Sequence, residues 1–464
     1  MEENELLSKV KKIHFVGIGG SGMCPIAEIL YHKGYELTGS DTNESDTLQR
    51  VRSYGIPVFM GQKAENIGDA QLIVYTAAVK PDNPELVAAR VKGVPTVERS
   101  VMLGMVTRQY SNCIAVSGTH GKTTTTAMIT QILLDAGKDP SAVIGGKLPS
   151  IGANGRAGNS GTIVCEACEY VDTFLQLTPT VSVILNIDND HLDYFKTVDN
   201  IIRSFHKFAG QTAKTIVVNG DNKNAMKALE GITNAQIVTF GFSPENDYYA
   251  ENIENTERAR ERFSIVKRGG GTARVTLSIP GRHNIFNALA AFAVADRMGV
   301  ETDRIITSLH SFTGVHRRFE LLGRFGGVTV ADDFAHHPTE LTATLTAAKQ
   351  MGFARVWAVF QPHTYSRTYL LLNDFAKALS IADKVVLSEI LAVREKNVYN
   401  IYSKDLAAKI PGSVWFSGFE EIADYMVKNA GDGDLILTLG GGDIYKCANL
   451  IVDKYKKRQG NKDS

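Results

Sequence analysis

Ser117-Gly118-Thr119-His120-Gly121-Lys122-Thr123-Thr124 is the stretch whose chemistry can be named from residue types and order alone. The apolar run Cys113-Ile114-Ala115-Val116 precedes it, and a helical pattern from Thr126 to Leu134 follows. A strand, a glycine turn and a helix N-terminus aim several backbone N–H groups at one point, which suits phosphate. Lys122 can reach terminal phosphates, and Thr123 offers a hydroxyl to Mg²⁺. Gly118 stands three residues before Gly121, closer than in the common nucleotide loop. A chance turn would share the Gly-Lys-Thr core, but not the strand before it and the helix after it. ATP use is therefore expected, and what the ATP is spent on is open at this point.

A second glycine run, Gly17-Ile18-Gly19-Gly20-Ser21-Gly22, fits G-x-G-x-x-G after a strand, with Asp41 nineteen residues beyond Gly22. Taken literally this is a dinucleotide fingerprint with a ribose-binding acid, and it predicts NAD. Its physical content is narrower: a close-packed turn that presents N–H groups to a pyrophosphate. A nucleotide-sugar diphosphate satisfies it equally well, and a purely structural turn is the third reading.

Acids and histidines gather after other strand-like runs. Glu166 follows Thr162 to Cys165, with Glu169 three residues on; Asn186-Ile187-Asp188-Asn189-Asp190-His191-Leu192-Asp193 follows Val181 to Leu185. Capping the helix that begins near Thr197 needs one acid, whereas this loop carries three and a histidine. A magnesium or manganese site using Glu166 and His191 beside Thr123 is expected, with Asp190 nearby. Cys165 and Cys168 form a lone C-x-x-C pair, better read as packing than as zinc or redox chemistry. In Gly281-Arg282-His283-Asn284-Ile285-Phe286-Asn287, Asn284 can cap a helix, while Asn287 could meet a base or ribose. Asp332-Asp333-Phe334-Ala335-His336-His337-Pro338-Thr339-Glu340 carries more acids and histidines than capping requires. Gln361-Pro362-His363-Thr364-Tyr365-Ser366-Arg367 follows the next strand, where Arg367 could bind a carboxylate in bidentate fashion, and Gly440-Gly441-Gly442-Asp443 closes a later one.

The elements that must hold these groups follow a βα rhythm. In the first hundred residues, strands Ile13 to Gly17, Glu36 to Gly39 and Leu72 to Tyr75 alternate with helices Cys24 to Tyr31 and Asn83 to Val91. This argues for a parallel sheet with right-handed crossovers. A second unit begins near Val106, with strands at Ile114–Val116, Thr162–Val164, Val181–Leu185, Thr215–Val218, Gln236–Phe240, Arg262–Val266 and Arg274–Ile279. Between them, the polar stretch Ser243 to Ala259 reads as strand-poor surface. Helices Asn284–Met298 and Glu301–His310 lead to a junction at Gly314-Val315-His316-Arg317-Arg318. From Gly327 the rhythm resumes, with strands Val328–Ala331, Val356–Phe360, Lys384–Leu387 and Leu435–Leu439. The helices between these strands are Glu340–Gln350, Tyr369–Leu379, Lys404–Ala408 and Glu421–Val427.

Bulk properties agree with a large α/β enzyme. At 464 residues the chain exceeds a single core, and 44% apolar residues, 22% charged residues and 42 glycines suit tight βα turns. Fifty basic residues balance fifty acidic ones, which does not favour nucleic acid or anionic membrane. The acidic opening Met1-Glu2-Glu3-Asn4-Glu5 argues against a secretory signal, and no apolar run approaches a spanning helix. Five cysteines in this length suit a cytoplasmic setting better than a disulfide framework.

Taken in order, these motifs resemble the Mur ligase family over essentially the whole chain. The resemblance rests on Gly17–Gly22, Gly118–Thr124, Asp190-His191, His283-Asn284 with Asn287, Arg317-Arg318 and Asp332 to Glu340. Phe360-Gln361-Pro362-His363 with Tyr365-Ser366-Arg367 points to the alanine-adding branch. The fold it implies is α/β in three domains: a Rossmann-like UDP-sugar domain over 1–105, a central P-loop domain with a mostly parallel sheet over 106–315, and a Rossmann-like amino-acid domain over 316–464. The activity it implies is ATP-dependent joining of L-alanine to the lactyl carboxylate of UDP-N-acetylmuramate through an acyl phosphate, with the third domain closing on the second. The rival within the family is the recycling ligase that joins a tripeptide; outside it, an NAD-dependent oxidoreductase or a nucleotide-regulated binding protein.

By the same resemblance Gly118, Thr119, His120, Gly121, Lys122, Thr123 and Thr124 hold the ATP phosphates, and Thr123, Glu166 and His191 surround Mg²⁺ or Mn²⁺. His283, Asn284 and Asn287 lie by the nucleotide, Arg318 by its phosphates and Asp332 by its ribose. Gly19, Ser21, Gly22, Asp41 and His120 belong with the UDP-sugar, and His336 and Arg367 with the incoming alanine. Lys122, His191, His336 and Arg367 are the implied catalytic set. Many relatives carry aspartate where this chain has Cys168, a poor Mg²⁺ ligand, so the roles of Cys168, Glu169 and Asp172 stay open. No nucleic-acid or membrane partner is implied, and the chain is expected as a monomer or weak homodimer.

Overall fold

Residues 3–256, 260–393 and 395–460 are described by the structure, a computed structural model; for 3–5, 192–193 and 459–460 the description is of the backbone alone. The chain divides into two compact units. One comprises Met1–Glu251, Ile265–Ala273 and Phe286–Leu309; the other comprises Asn252–Ser264, Arg274–Ile285 and His310–Ser464.

The first unit opens with β1 (Lys12–Val16), β2 (Glu36–Asp41), β3 (Val58–Met60), β4 (Leu72–Tyr75) and β5 (Thr96–Glu98), paired in parallel in the order β3-β2-β1-β4-β5. Buried parallel strands read as apolar runs, as Ile13, Phe15 and Val16 do here. Strand order reverses beside β1, so the glycine run after β1 and the loop after β4 flank a crevice at the carboxyl ends of the strands. The helix Cys24–His32 starts with Pro25 in its first turn and buries Ile26, Ile29 and Leu30. Gly39 in β2 has a packing reason. A Cβ there would lie 2.6–2.8 Å from the Ile18 side chain, so its absence lets the glycine loop settle onto the sheet.

The second sheet of this unit contains β6 (Asn112–Ser117), β7 (Ser141–Leu148), β8 (Ala153–Arg156), β9 (Thr162–Glu166), β10 (Val181–Ile184), β11 (Thr215–Asn219) and β12 (Gln236–Gly241). Its order is β12-β11-β10-β6-β9-β7-β8, parallel except for β8 against β7. β13 (Tyr248–Asn255), β14 (Arg260–Lys267) and β15 (Thr272–Pro280) continue the order beyond β12. β13 corrects the expectation that Ser243 to Ala259 lacks a strand. Tyr248 and Ala250 turn inward while the polar side chains face out, so polarity marked one face of a strand. Residues 257–259 of that stretch lie outside the described residues. β7 and β8 were not expected either, because their glycines, asparagine and lysine carry little strand propensity.

The second unit carries β16 (Glu320–Phe325), β17 (Val328–Asp333), β18 (Val356–Phe360), β19 (Lys384–Leu387), β20 (Val414–Trp415) and β21 (Leu435–Leu439), in the order β16-β17-β21-β18-β19-β20. Only the β16–β17 hairpin is antiparallel. Its turn, Gly326-Gly327, takes φ values of 55° and 85° that glycine adopts without penalty. The expected helix Tyr369–Leu379 is two, Tyr365–Leu370 and Leu372–Leu379. No helix among the described residues is long and apolar enough to cross a membrane.

Gly39→Ala should destabilise the first unit by about 1–3 kcal/mol, the usual cost of overpacking. Thermal denaturation would show it, and a double-mutant cycle with Ile18→Ala should show the two substitutions to be non-additive.

Candidate active site

The phosphate loop is clamped on both sides. Leading into it, Ser117 donates its hydroxyl to Val183 O at 2.6 Å. The Thr119 N–H donates to Asn186 O at 3.0 Å. The Asn186 side chain then accepts from His120 N at 2.8 Å and donates to His120 O at 3.0 Å, while Thr119 Oγ1 accepts from Asp188 N at 2.9 Å. Gly118 and Gly121 have φ values of 134° and 87°, which side chains rarely adopt. A Cβ on Gly121 would lie 2.4 Å from Asn287 Oδ1, which also accepts from Thr125 Oγ1 at 3.2 Å. The helix Lys122–Asp135 starts directly after the loop, so its free N–H groups face the same point as the loop amides. Thr123 and Thr124 are buried in its first turn.

Lys122 Nζ donates to Gly118 O at 2.5 Å and Thr119 O at 3.2 Å, and lies 2.9 and 3.1 Å from the Glu169 carboxylate oxygens. Burial works to lower the Lys122 pKa, but Glu169, with Cys168 and Glu166 adding to it, raises it overall. The lysine is thus a fixed cation. Burial pushes the Cys168 thiol up, Glu169 adds to that shift, and Lys122 pulls the other way. Asp172 is structural, accepting from Tyr194 Oη at 2.7 Å and from the Ser204 hydroxyl. Cys165 meets Cys113 across the sheet; their thiol hydrogen bond, then burial, push the Cys165 pKa well up, which fits packing.

The residues expected to hold a metal are a looser set. Glu166 Oε1 accepts from Gly145 N at 2.6 Å, and the His191 ring packs 4.6 Å from Tyr170 with Nε2 3.6 Å from Asp190 Oδ2. The Thr197 hydroxyl accepts from Asn200 N and caps the helix Val198–Gly210, so Asp188 and Asp190 are not its caps. Asp188 Oδ2 instead lies 3.4 Å from His120 Nε2. The Asp193 side chain lies outside the described residues. Among the described residues no three of His, Cys, Asp and Glu converge on one point. The donor set suits Mg²⁺, which keeps water and phosphate oxygens and asks little of the protein.

At the first sheet, a cavity of about 640 Å³ is lined by Gly17, Gly19, Gly20, Asp41, Asn43 and Asn83, among others. Asp41 Oδ2 accepts from Gly19 N at 2.9 Å, and its Oδ1 accepts from the N–H groups of Thr42 and Asn43. The acid expected at a ribose therefore also shapes the glycine loop, using the Gly19 amide that was expected to face a diphosphate. The Asn154 side chain, in β8, donates to Ser21 O. Nothing in the sequence announced that contact, because it joins residues 133 positions apart.

The second unit gathers the remaining candidates. Asn284 Nδ2 donates to Pro280 O at 2.7 Å, and the His283 ring lies against Gly281. Arg317 Nε lies 3.0 Å from Asp332 Oδ2, its other nitrogens donating to Gly440 O and Gly442 O, while Thr438 donates to Asp332 Oδ1 at 2.5 Å. Asp332 is raised by burial, with Arg317 opposing. Burial pushes the neighbouring Asp333 up to about 6 against the charge of Arg318. Arg317 and Arg318 both stack on Phe334, at 4.9 and 5.0 Å. His336 Nδ1 lies 3.0 Å from Phe334 O and 3.2 Å from Glu340 Oε2, and its ring meets that of His363 at 5.7 Å. Burial, then the charges of His336 and Arg367, hold His363 down to about 4. His363 Nδ1 and Gln361 Oε1 are buried without hydrogen-bond partners in this cluster. Glu395 fixes the turn before Arg367, accepting from Ser366 N at 2.8 Å. His363 stood in the expected motif without an assigned role, and Glu395 was absent from the expected site because its contact with Ser366 joins residues 29 positions apart.

These sites sit on three sheets whose sequences match, in order, the Mur ligase family catalytic domain over residues 12–111, the Mur ligase middle domain over 116–295 and the Mur ligase glutamate ligase domain over 317–442. The chain belongs to the Mur ligase family, is an enzyme of the ligase class, and has the family's three-domain α/β architecture. Membership sets aside the oxidoreductase reading of Gly17–Gly22. Among its relatives, the UDP-N-acetylmuramate–L-alanine ligase of Acetivibrio thermocellus is 43% identical over 461 residues, covering 97% of this chain and 98% of that one. The ligase of the same name from Lachnospira eligens is 46% identical over 448 residues, covering 95% and 97%. The crystal structure of the UDP-N-acetylmuramate-alanine ligase from Thermotoga maritima superposes with a TM-score of 0.83 at 30% identity, over 96% of this chain and 99% of that one. A murein peptide ligase from Psychrobacter arcticus gives 0.75 at 25% identity, over 96% and 98%.

Lys122→Ala should abolish turnover and also cost about 3–5 kcal/mol of stability, because it strands the buried Glu169 carboxylate. Lys122→Ala with Glu169→Gln should recover stability in denaturant titration while remaining inactive; full activity in either variant would remove Lys122 from the site. His363 has a folded pKa below its unfolded value, so its contribution is complete above about pH 6.5 and is lost as pH falls towards 4. Melting curves of His363→Gln should therefore show a shallower loss than the wild type over that window.

Proposed function

We propose that the chain joins L-alanine to the lactyl carboxylate of UDP-N-acetylmuramate, releasing ADP and phosphate, in peptidoglycan precursor synthesis. The observation that carries this is full-length similarity, up to 46% in the relatives cited, to alanine ligases, in a chain whose glycine-lysine-threonine loop is clamped at His120 by the Asn186 side chain. ATP, when bound, supplies the phosphoryl group that turns the carboxylate into an acyl phosphate, the form an amine can attack. Lys122 and the loop amides offset charge on the transferring group, with Glu169 keeping Lys122 charged beside the loop. Thr123, Glu166 and His191 are the residues that would hold Mg²⁺. Gly19, Ser21, Gly22 and Asp41 border the cavity or loop assigned to the sugar nucleotide, with His120 on the phosphate-loop side. Asn287, packed under Gly121, supports the loop in addition to its proposed role towards the nucleotide; His283, Asn284, Arg318 and Asp332 are the proposed nucleotide-binding residues of the second unit.

For the amino acid, Arg367 offers a fork for the carboxylate. His336 stands beside His363, which is held neutral and can accept a hydrogen bond from the amine. The functional parts are assigned to residues 1–105, 106–315 and 316–464, and the enzyme is placed in the cytoplasm as a monomer or weak homodimer. The second reading, a ligase that adds a ready-made tripeptide, is favoured by the likeness to the Psychrobacter murein peptide ligase. Phosphate release with ATP and UDP-N-acetylmuramate, measured across amino acids and a tripeptide, separates the two. L-alanine should give the highest kcat/KM, and preference for the tripeptide would replace this reading with the recycling one.

A further inference from the structure

Arg99 is the first residue of the helix Arg99–Thr107, directly after β5, and so stands at the carboxyl edge of the first sheet, the side that holds the glycine loop. Glu98, its neighbour, is turned away to cap the helix, accepting from Ser100 N at 2.8 Å. The arginine lies against the last glycine of the loop: a Cβ on Gly22 would be 3.1 Å from its Cδ, 3.4 Å from Nε and 3.5 Å from Nη1. Its charge also reaches the Cys168 thiol, next to the Glu169 that holds Lys122. Among the described residues Arg99 has neither a hydrogen bond nor an ion pair, although it is half-buried. Other half-buried arginines of this chain are matched: Arg50 to Glu28, Arg156 to Asp139 and Arg317 to Asp332. A partly desolvated guanidinium without a counter-charge is costly unless an anion completes it.

We propose that Arg99 binds an anionic group of the sugar-nucleotide substrate, its diphosphate or its carboxylate, on the path between the Gly17–Gly22 loop and the phosphate loop. This rests on the substrate reading above and adds a residue to it. The chemistry calls for such a cation, because a carboxylate has to approach a polyanionic phosphate chain, and Lys122 is already engaged with Glu169 and two carbonyls. Gly22 also gains a function: without a Cβ it leaves room for the Arg99 side chain against the loop.

Arg99→Gln and Arg99→Lys test the assignment. Arg99→Gln should raise KM for UDP-N-acetylmuramate about 10–100-fold, the usual loss of charge-assisted hydrogen bonds. KM for ATP and the melting temperature should stay near wild type. Arg99→Lys, which keeps charge without the fork, should recover only part of the loss. Calorimetric binding of UDP-N-acetylmuramate, UDP-N-acetylglucosamine and UDP to wild type and Arg99→Gln identifies the anion. A loss confined to the first ligand assigns the carboxylate, and a loss shared by all three assigns the diphosphate. Unchanged affinity and KM in Arg99→Gln, or a matching rise in KM for ATP with a lowered melting temperature, would overturn the proposal. Wild-type enzyme that neither binds nor turns over UDP-N-acetylmuramate would instead overturn the substrate reading.

Discussion

The reciprocal pair of hydrogen bonds between the Asn186 amide and the backbone of His120 is the constraint on which the ATP-binding half of the molecule depends. A loop meant to receive phosphate must leave some of its N–H groups unspent, so it cannot be held by all of its own amides. Here Asn186, just beyond the end of β10, takes the amides of Thr119 and His120, and the bulk of Asn287 lies beneath Gly121. β6, β9 and β10 end at the same level, which brings Lys122, Glu169, Glu166 and His191 to the same side of the sheet.

Charge placement follows the same economy. Lys122 would be expensive to bury alone, and Glu169 keeps it charged and oriented. In the second unit, Arg317 does comparable work for Asp332, and its stacking on Phe334 and Tyr445 fixes the guanidinium plane. Positive φ values at Arg317 and Phe319 show that the segment entering this unit is bent to fit these contacts.

Much of this was legible in the sequence because the relevant signals are local. The Gly118–Thr124 loop, the Gly17–Gly22 loop and the apolar runs of β4, β18, β19 and β21 fell where residue type and period placed them. The parts that were not legible depend on distant partners. β7 and β8 look like loop in isolation and become strands only because β9 offers an edge. The role of Asp172 was open in the sequence, and the structure sets it to accept from Tyr194 and Ser204 on two other elements. Capping was the weaker reading of Asp188 and Asp190, and Thr197 fills that role instead. Histidine-rich segments announced a site around His336, but not that His363 would be kept neutral beside it, since burial is a property of the folded surroundings.

The apolar core of the first unit does not stop where the glycine-loop sheet ends. One continuous cluster runs from Leu6 through Ile29 and Leu72, across Met102, Leu103 and Val106 of the Arg99–Thr107 helix, and on to Phe174, Phe205 and Leu229. Pro25 fits against Gly155 and Asn154 reaches Ser21, so the two sheets share their interior as well as a seam. The segment that holds the first ligand loop and the segment that holds the phosphate loop therefore melt as one cooperative body. A chain cut near residue 105 would bare the apolar face of that helix, and neither piece could be handled as an independent module.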